Sequence, residues 1–114
     1  PDPIALPDDL AIFMRSFGAT LSRGSKDMLP GYFSNRYLSN GFNKAQLMAF
    51  LKPIIPGFGS TKVIASDFKA GEPVSEIKGY LGMPRFGRVP MKHLFGHVVR
   101  EDGKWLWYGN QKPE

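Results

Sequence analysis

Two histidines, His93 and His97, stand four residues apart in a stretch that reads as a β-strand, and Asp67 stands between Ser66 and Phe68 in another. Strand residues four apart share a face, but at ~3.3 Å per residue their Cβ atoms lie roughly 13 Å apart, too far to hold one metal ion between them. With no cysteine in the chain and no nearby carboxylate pattern, neither a metal site nor a cofactor is expected. Taken singly, a histidine titrates near neutrality and can act as a general base, and a carboxylate can shuttle a proton if burial raises its pKa. His97 and Asp67 are therefore the two candidates for acid–base chemistry. The plainer reading makes each histidine a partly buried, hydrogen-bonded strand residue and Asp67 a carboxylate facing water. Tyr32, Tyr37, Tyr80 and Tyr108 supply hydroxyls able to donate to a ligand carbonyl, although a buried ring with a wet hydroxyl is ordinary packing. The sequence contains no phosphate-cradling glycine loop, no Gly-x-Ser-x-Gly elbow and no His-Glu-x-x-His segment.

These residues sit in a chain of 114, a length that suits one domain. The absence of cysteine excludes a disulfide framework and a thiolate nucleophile. Fifteen Lys and Arg against ten Asp and Glu give a net charge of +5, so anionic partners need weighing. The nearest approach to a basic cluster is Arg85, Arg88, Lys92 and Arg100, broken up by apolar residues, which reads as a solvated surface and not as a nucleic-acid arm. No apolar run approaches the ~20 residues that span a bilayer. The chain begins Pro1-Asp2-Pro3 without a methionine. This leads us to expect removal of an upstream segment, and it favours a periplasmic, secreted or lipid-anchored location.

The elements that position these groups follow from periodicity. Residues 1–7, with three prolines, read as an extended lead-in. Leu10, Phe13, Met14, Phe17 and Leu21 form one stripe of a helix that starts after Pro7 at Asp8-Asp9 and ends at Gly24. Ser25 is expected to cap a second short helix to about Leu29, broken by Pro30-Gly31; Tyr32, Phe33, Tyr37 and Leu38 then read as an inward-packing helical turn. Asn43 and Gln46 have capping-box spacing for a third helix whose inner face is Leu47, Phe50, Leu51 and Ile54. After Gly59 the period shifts toward two. Residues 61–69 and 74–82 predict two strands, 85–90 a loop or edge because of Pro90, and 91–101 with 104–111 a hairpin turning at Asp102-Gly103. Pairing Glu101 with Lys104 sets Arg100 opposite Trp105, Val99 opposite Leu106, Val98 opposite Trp107 and His97 opposite Tyr108. One hairpin face then carries Leu94, Val98, Trp105 and Trp107, and the other His93, Phe95, His97, Val99, Leu106 and Tyr108. The fold class expected is α+β: three N-terminal helices packed on a curved antiparallel sheet of about four strands, a single domain over 8–111 with a tail at 112–114.

This order of elements resembles the nuclear transport factor 2-like, or cystatin-like cone, superfamily. The residues that carry the likeness are the stretch Tyr32-Phe33-Ser34-Asn35-Arg36-Tyr37-Leu38-Ser39-Asn40-Gly41, the capped helix after it, and the ending Val98-Val99-Arg100-Glu101-Asp102-Gly103-Lys104-Trp105-Leu106-Trp107-Tyr108-Gly109-Asn110-Gln111. The resemblance spans about residues 8–111 and points to small bacterial members. It implies a cone whose bent sheet and helices enclose a cavity, used by some members for isomerase or cyclase chemistry and by others for ligand binding or for dimerisation through the sheet. On that footing the lining residues expected are Phe13, Phe17, Tyr37, Phe50, Tyr80, Phe95, His97, Leu106 and Tyr108. Aromatic walls with few acid–base groups lead us to expect a non-enzymatic domain for a small apolar ligand or a protein partner, with a homodimer through the sheet as a further option. The alternative is a small isomerase or lyase using Asp67 or His97 as base.

Overall fold

Pro7 and the carboxylates Asp8 and Asp9 open the first helix, α1 (Asp8–Arg23), in a computed structural model that describes residues 4–24, 26–84, 87–91 and 95–113. The negative charges meet the positive end of the helix dipole, and Asp9 Oδ1 accepts from the backbone N–H of Leu10. Gly24 ends the helix in the left-handed conformation at φ 66°. Leu10, Met14, Phe17 and Leu21 are buried along one stripe and Phe13 lies half-buried at its margin.

The second short helix is corrected. Residues 26–28 form a turn and a 3-10 turn runs Leu29–Tyr32 through Pro30-Gly31. A proline in a first helical turn needs no N–H partner, so Pro30 helps open this turn where a break was expected; the proposed cap, Ser25, lies outside the described residues. The expected helical turn at 32–38 is also absent. Phe33 makes a bridge to Trp107, and Leu38–Ser39 forms β1, which pairs with β2 (Phe42–Asn43) across Asn40-Gly41. Both turn residues have positive φ, 49° and 86°, as a two-residue turn of this kind demands.

Asn43 and Gln46 close the capping box of α2 (Lys44–Leu51), each side chain accepting from the other's backbone N–H at 2.9 Å. This helix is only eight residues long, since Pro53 follows its C-cap. Its buried stripe is therefore just Leu47 and Leu51. Phe50 and Ile54, expected inside, are 46% and 39% exposed, and Phe50 stacks edge-on against exposed Phe42. A further 3-10 turn, Ile55–Phe58, leads to the sheet.

Among the described residues the main sheet has five strands, not about four, and there are two α-helices, not three. β3 (Lys62–Lys69), β4 (Val74–Met83), β6 (His97–Glu101) and β7 (Lys104–Gly109) follow one another in antiparallel order, and β5 (Gly87–Pro90) pairs with the far end of β4. Pro90 sits on this edge segment, where a missing donor does no harm. Asp102 and Gly103, at φ 52° and 76°, turn the hairpin as expected, and the pairs 98–107, 99–106, 100–105 and 101–104 hold.

Two irregularities decide which side chains face the core. β3 carries an extra residue between the pairs Ala65–Gly79 and Asp67–Lys78. Simple alternation would send Asp67 inward with Val63 and Ala65; the bulge at Ser66 turns Asp67 outward and Phe68 inward. In β7, Tyr108 is the extra residue, so His97 pairs with Gly109 and not with Tyr108. The first hairpin strand consequently starts at His97, six residues later than expected. Phe95 lies before it and packs on Trp107 at 5.2 Å between centroids, on the side opposite to the one the alternation assigned.

The inner face of the sheet and α1 enclose a core centred on Phe17, Phe33, Phe95 and Trp107, all fully buried. The rings are packed against one another: Phe17 touches the other three at 4.9–5.9 Å, and Phe33 meets Phe95 at 5.9 Å. Such edge-to-face contacts fill volume as densely as a crystal and leave little room between them.

Candidate functional site

The nine residues expected to line one cavity do not converge. Phe17, Phe95 and Tyr37 belong to the packed core, and Phe13 flanks it. Phe50 is exposed on α2. Tyr80 and Leu106 take outward positions in their strands, Tyr80 beneath the guanidinium of Arg88 at 4.6 Å, and the Tyr108 ring lies under that of Arg36 at 5.4 Å. Burial pushes the Tyr37 hydroxyl up to about 12, with a hydrogen bond to Ser39 opposing the shift, so it stays protonated at neutral pH. Asp67 is exposed on the outer face, where its Oδ1 accepts from the N–H of Phe68. That outer face, which a sheet-mediated dimer would use, carries Lys62, Asp67, Lys69, Glu76, Lys78 and Arg88. Of the nine, Phe13 and Leu106 line a shallow opening with Asp9, Ser16 and Lys104, and His97 lines a second slot with polar groups from several segments.

The slot exists because the sheet splits. β4 pairs with β6 only at Val74 and Ser75, and with β5 only from Tyr80 onward, so residues 76–79 face no strand on that side among the described residues. The opening has a volume of about 330 Å³. Its β4 wall is Glu76, Ile77 and Lys78; its opposite wall is Gly96 and His97; Asn40, Asn110 and Lys112 form a roof. Gly96 can be nothing larger. At φ 68° it lies against the backbone of Gly109, and a Cβ there would fall 2.3 Å from the Gly109 carbonyl carbon.

The roof is built by the Asn40-Gly41 turn and by the chain leaving β7. Asn110 Oδ1 accepts from the backbone N–H groups of Asn40 (3.2 Å) and Lys112 (2.9 Å), and Asn110 Nδ2 donates to Asn40 Oδ1 at 2.9 Å. The N–H of Gln111 reaches Leu38 O and that of Gly41 reaches Lys112 O. His97 is half-buried, and its buried Nδ1 has no hydrogen-bond partner among the described residues. Glu76 lies 3.9 Å from Lys69, both exposed. Sequence reasoning missed Asn40, Asn110 and Lys112. Asn40-Gly41 is a recognisable turn dipeptide, but nothing in the sequence reports that the tail after Gly109 folds across it.

Among the described residues no group of three or more His, Cys, Asp or Glu could hold a metal ion; His93, Lys92 and Arg85 lie outside them. No described helix is long and apolar enough to cross a membrane.

No family model matches the chain, and no curated protein does. Solved structures do. An NTF2-like protein of unknown function from Shewanella oneidensis superposes with a TM-score of 0.67 at 16% identity, over 90% of this chain and 93% of that one. The chain has the nuclear transport factor 2-like fold. A protein of unknown function with a cystatin-like fold from Nostoc punctiforme agrees at TM-score 0.59 and 14% identity, covering 95% of this chain and 90% of that one. A candidate dehydratase of the NTF2-like family from Streptomyces avermitilis reaches 0.60 at 8% identity, with 90% of each chain covered. At these identities the likeness carries the NTF2-like architecture and not an activity.

Proposed function

We propose that this NTF2-like chain is a non-enzymatic binding domain that takes a small ligand in the slot between β4 and β6. The observation that carries the reading is the meeting of polar side chains from four separate parts of the chain, Asn40, Glu76 with Lys78, His97, and Asn110 with Lys112, around an opening at the lower end of the ~300–1,000 Å³ range of small-molecule sites. The half-buried His97 imidazole stands on the inner wall as its polar side chain.

Acid–base catalysis is the competing reading, because the solved NTF2-like structures include a candidate dehydratase. It has less support. Asp67 is exposed and does not line the slot, and Glu76, which lines it with His97, is also exposed and has Lys69 at 3.9 Å, so neither carboxylate has the burial that a proton shuttle requires. The discriminating experiment is a thermal-shift screen of small amphipathic molecules on the wild type and on His97→Gln, with every hit incubated and assayed for chemical change. Binding without turnover, weakened in His97→Gln, supports the proposal. Conversion of a hit that disappears in His97→Gln overturns it in favour of an enzyme.

A further inference from the structure

Resting on the reading of the slot as a ligand site, we infer that its ligand carries a compact oxyanion, a carboxylate or phosphate, held at the Asn40–Asn110 end. Hydrogen-bond donors outnumber acceptors there. Asn110 Oδ1 already accepts two backbone N–H groups, which uses both its lone pairs, and Asn40 Oδ1 accepts from Asn110 Nδ2. These bonds also fix which way each amide points, since only the oxygen can accept from a backbone N–H. What the pair keeps for a ligand is therefore mostly N–H: both hydrogens of Asn40 Nδ2 and one of Asn110 Nδ2. Asn110 Oδ1 is spent inside the roof, and Asn40 Oδ1 keeps one lone pair against these three N–H hydrogens.

The charges point the same way. Lys78 and Lys112 both line the slot, and neither makes an ion pair among the described residues. Among the described residues Glu76 is the carboxylate that lines the slot, with Lys69 beside it on the outer face, and Asp67 stands opposite Lys78 in the strand register. Three ammonium groups, Lys69, Lys78 and Lys112, against the two carboxylates Asp67 and Glu76 leave the rim positive, and an acceptor-only ligand group matches amide and ammonium donors. The volume confines the ligand to a small molecule.

The test follows the side-chain amide resonances of Asn40 and Asn110 by NMR while the protein is titrated with benzoate, with its neutral isostere benzamide, and with inorganic phosphate. Benzoate or phosphate saturating these resonances with a Kd near or below ~1 mM, where benzamide leaves them unmoved, is the expected result. Which of the two anions saturates assigns the group as carboxylate or phosphate. Removing the charges in Lys78→Met/Lys112→Met should weaken that anion by at least about tenfold, as expected for charge-assisted hydrogen bonds. Asn40→Gly should weaken it as well while keeping the turn, because φ at this position is 49° and glycine adopts it freely. Benzamide binding in the slot as tightly as benzoate would overturn the anion assignment and leave the ligand-site reading intact. No movement of the roof amides with benzoate or phosphate would overturn it too, and the neutral hits of the thermal-shift screen would then decide the site itself.

Discussion

Glu101 and Arg36, sixty-five residues apart, meet through Glu101 Oε2, which accepts from Arg36 Nη2 at 2.5 Å and from Arg36 Nε at 3.1 Å. The same oxygen accepts from Ser34 Oγ at 2.8 Å, and Ser34 Oγ in turn accepts from the backbone N–H of Arg36. This ties the turn at 34–36 to the end of the β6–β7 hairpin. The turn leads directly into β1 and the Asn40-Gly41 corner, so the ion pair sits at the base of the segment that forms the slot roof.

The pair predicts an acid-sensitive step in stability. The hydrogen bond from Arg36 holds the Glu101 carboxyl below its ordinary value, with Ser34 contributing and slight burial opposing. A carboxyl with a depressed folded-state pKa stabilises the fold above its unfolded pKa and loses that contribution as pH falls through the folded value. Wild type should therefore lose more stability than Glu101→Gln on going from about pH 5 to about pH 3 in urea titrations. Asp9, held low by Arg100, behaves in the same sense in both proteins and cancels in the comparison. Equal losses in the two proteins would remove Glu101 from the account.

The bulge at Ser66 makes a second prediction. Because Asp67 is turned outward, Asp67→Asn should change stability by no more than about 0.5 kcal/mol and leave ligand binding unaltered. Deleting Ser66 removes the extra residue and makes Ala65–Gly79 and Asp67–Lys78 consecutive rungs, so Asp67 stays outward, Phe68 stays inward and the chain should still fold. Denaturant midpoints of the two variants check this, and a deletion that unfolds the chain would contradict the assigned register.

Core and surface aromatics should separate cleanly. Phe17→Ala removes a ring in contact with Phe33, Phe95 and Trp107 and should destabilise by about 3–5 kcal/mol. Phe50→Ala, on an exposed face, should cost less than about 1 kcal/mol. Chemical denaturation of both decides whether the aromatic centre is packed solid.

Gly96→Ala tests the inner wall of the slot. The added methyl would meet the Gly109 backbone at 2.3 Å on a residue already at positive φ, so either the bridge between Gly96 and Gly109 opens or the fold is lost. Stability should fall by at least about 1–3 kcal/mol. If the variant still folds, it should lose slot ligands altogether, as read by the same thermal-shift screen. A Gly96→Ala protein with wild-type stability and binding would contradict the close approach.

Much of the scaffold was legible in the residues. The stripe from Leu10 to Leu21, the Asn43–Gln46 capping box and the Asp102-Gly103 turn each have a local physical cause, and each formed as read. The site was not legible, for a different reason in each case. Bulges at Ser66 and Tyr108 shift the pairing by one residue without a distinctive composition, and each shift moves a candidate: Asp67 leaves the interior and His97 changes partner. Ile54 continued a helical pattern past the end of the helix before Pro53, and Phe50 lies within the helix but on its exposed side. The slot depends on where β4 parts from β6 and on the fold-back of Asn110 and Lys112 over Asn40, long-range events with no local signature.

The most direct measurement of the binding account is a crystal structure grown with the tightest hit of the ligand screen. The account predicts the ligand between Ile77 and Gly96, touching His97 beneath the Asn40–Asn110 roof, with the rings of Phe17, Phe33, Phe95 and Trp107 unmoved. A ligand seated among those four rings, prised apart to admit it, would contradict it.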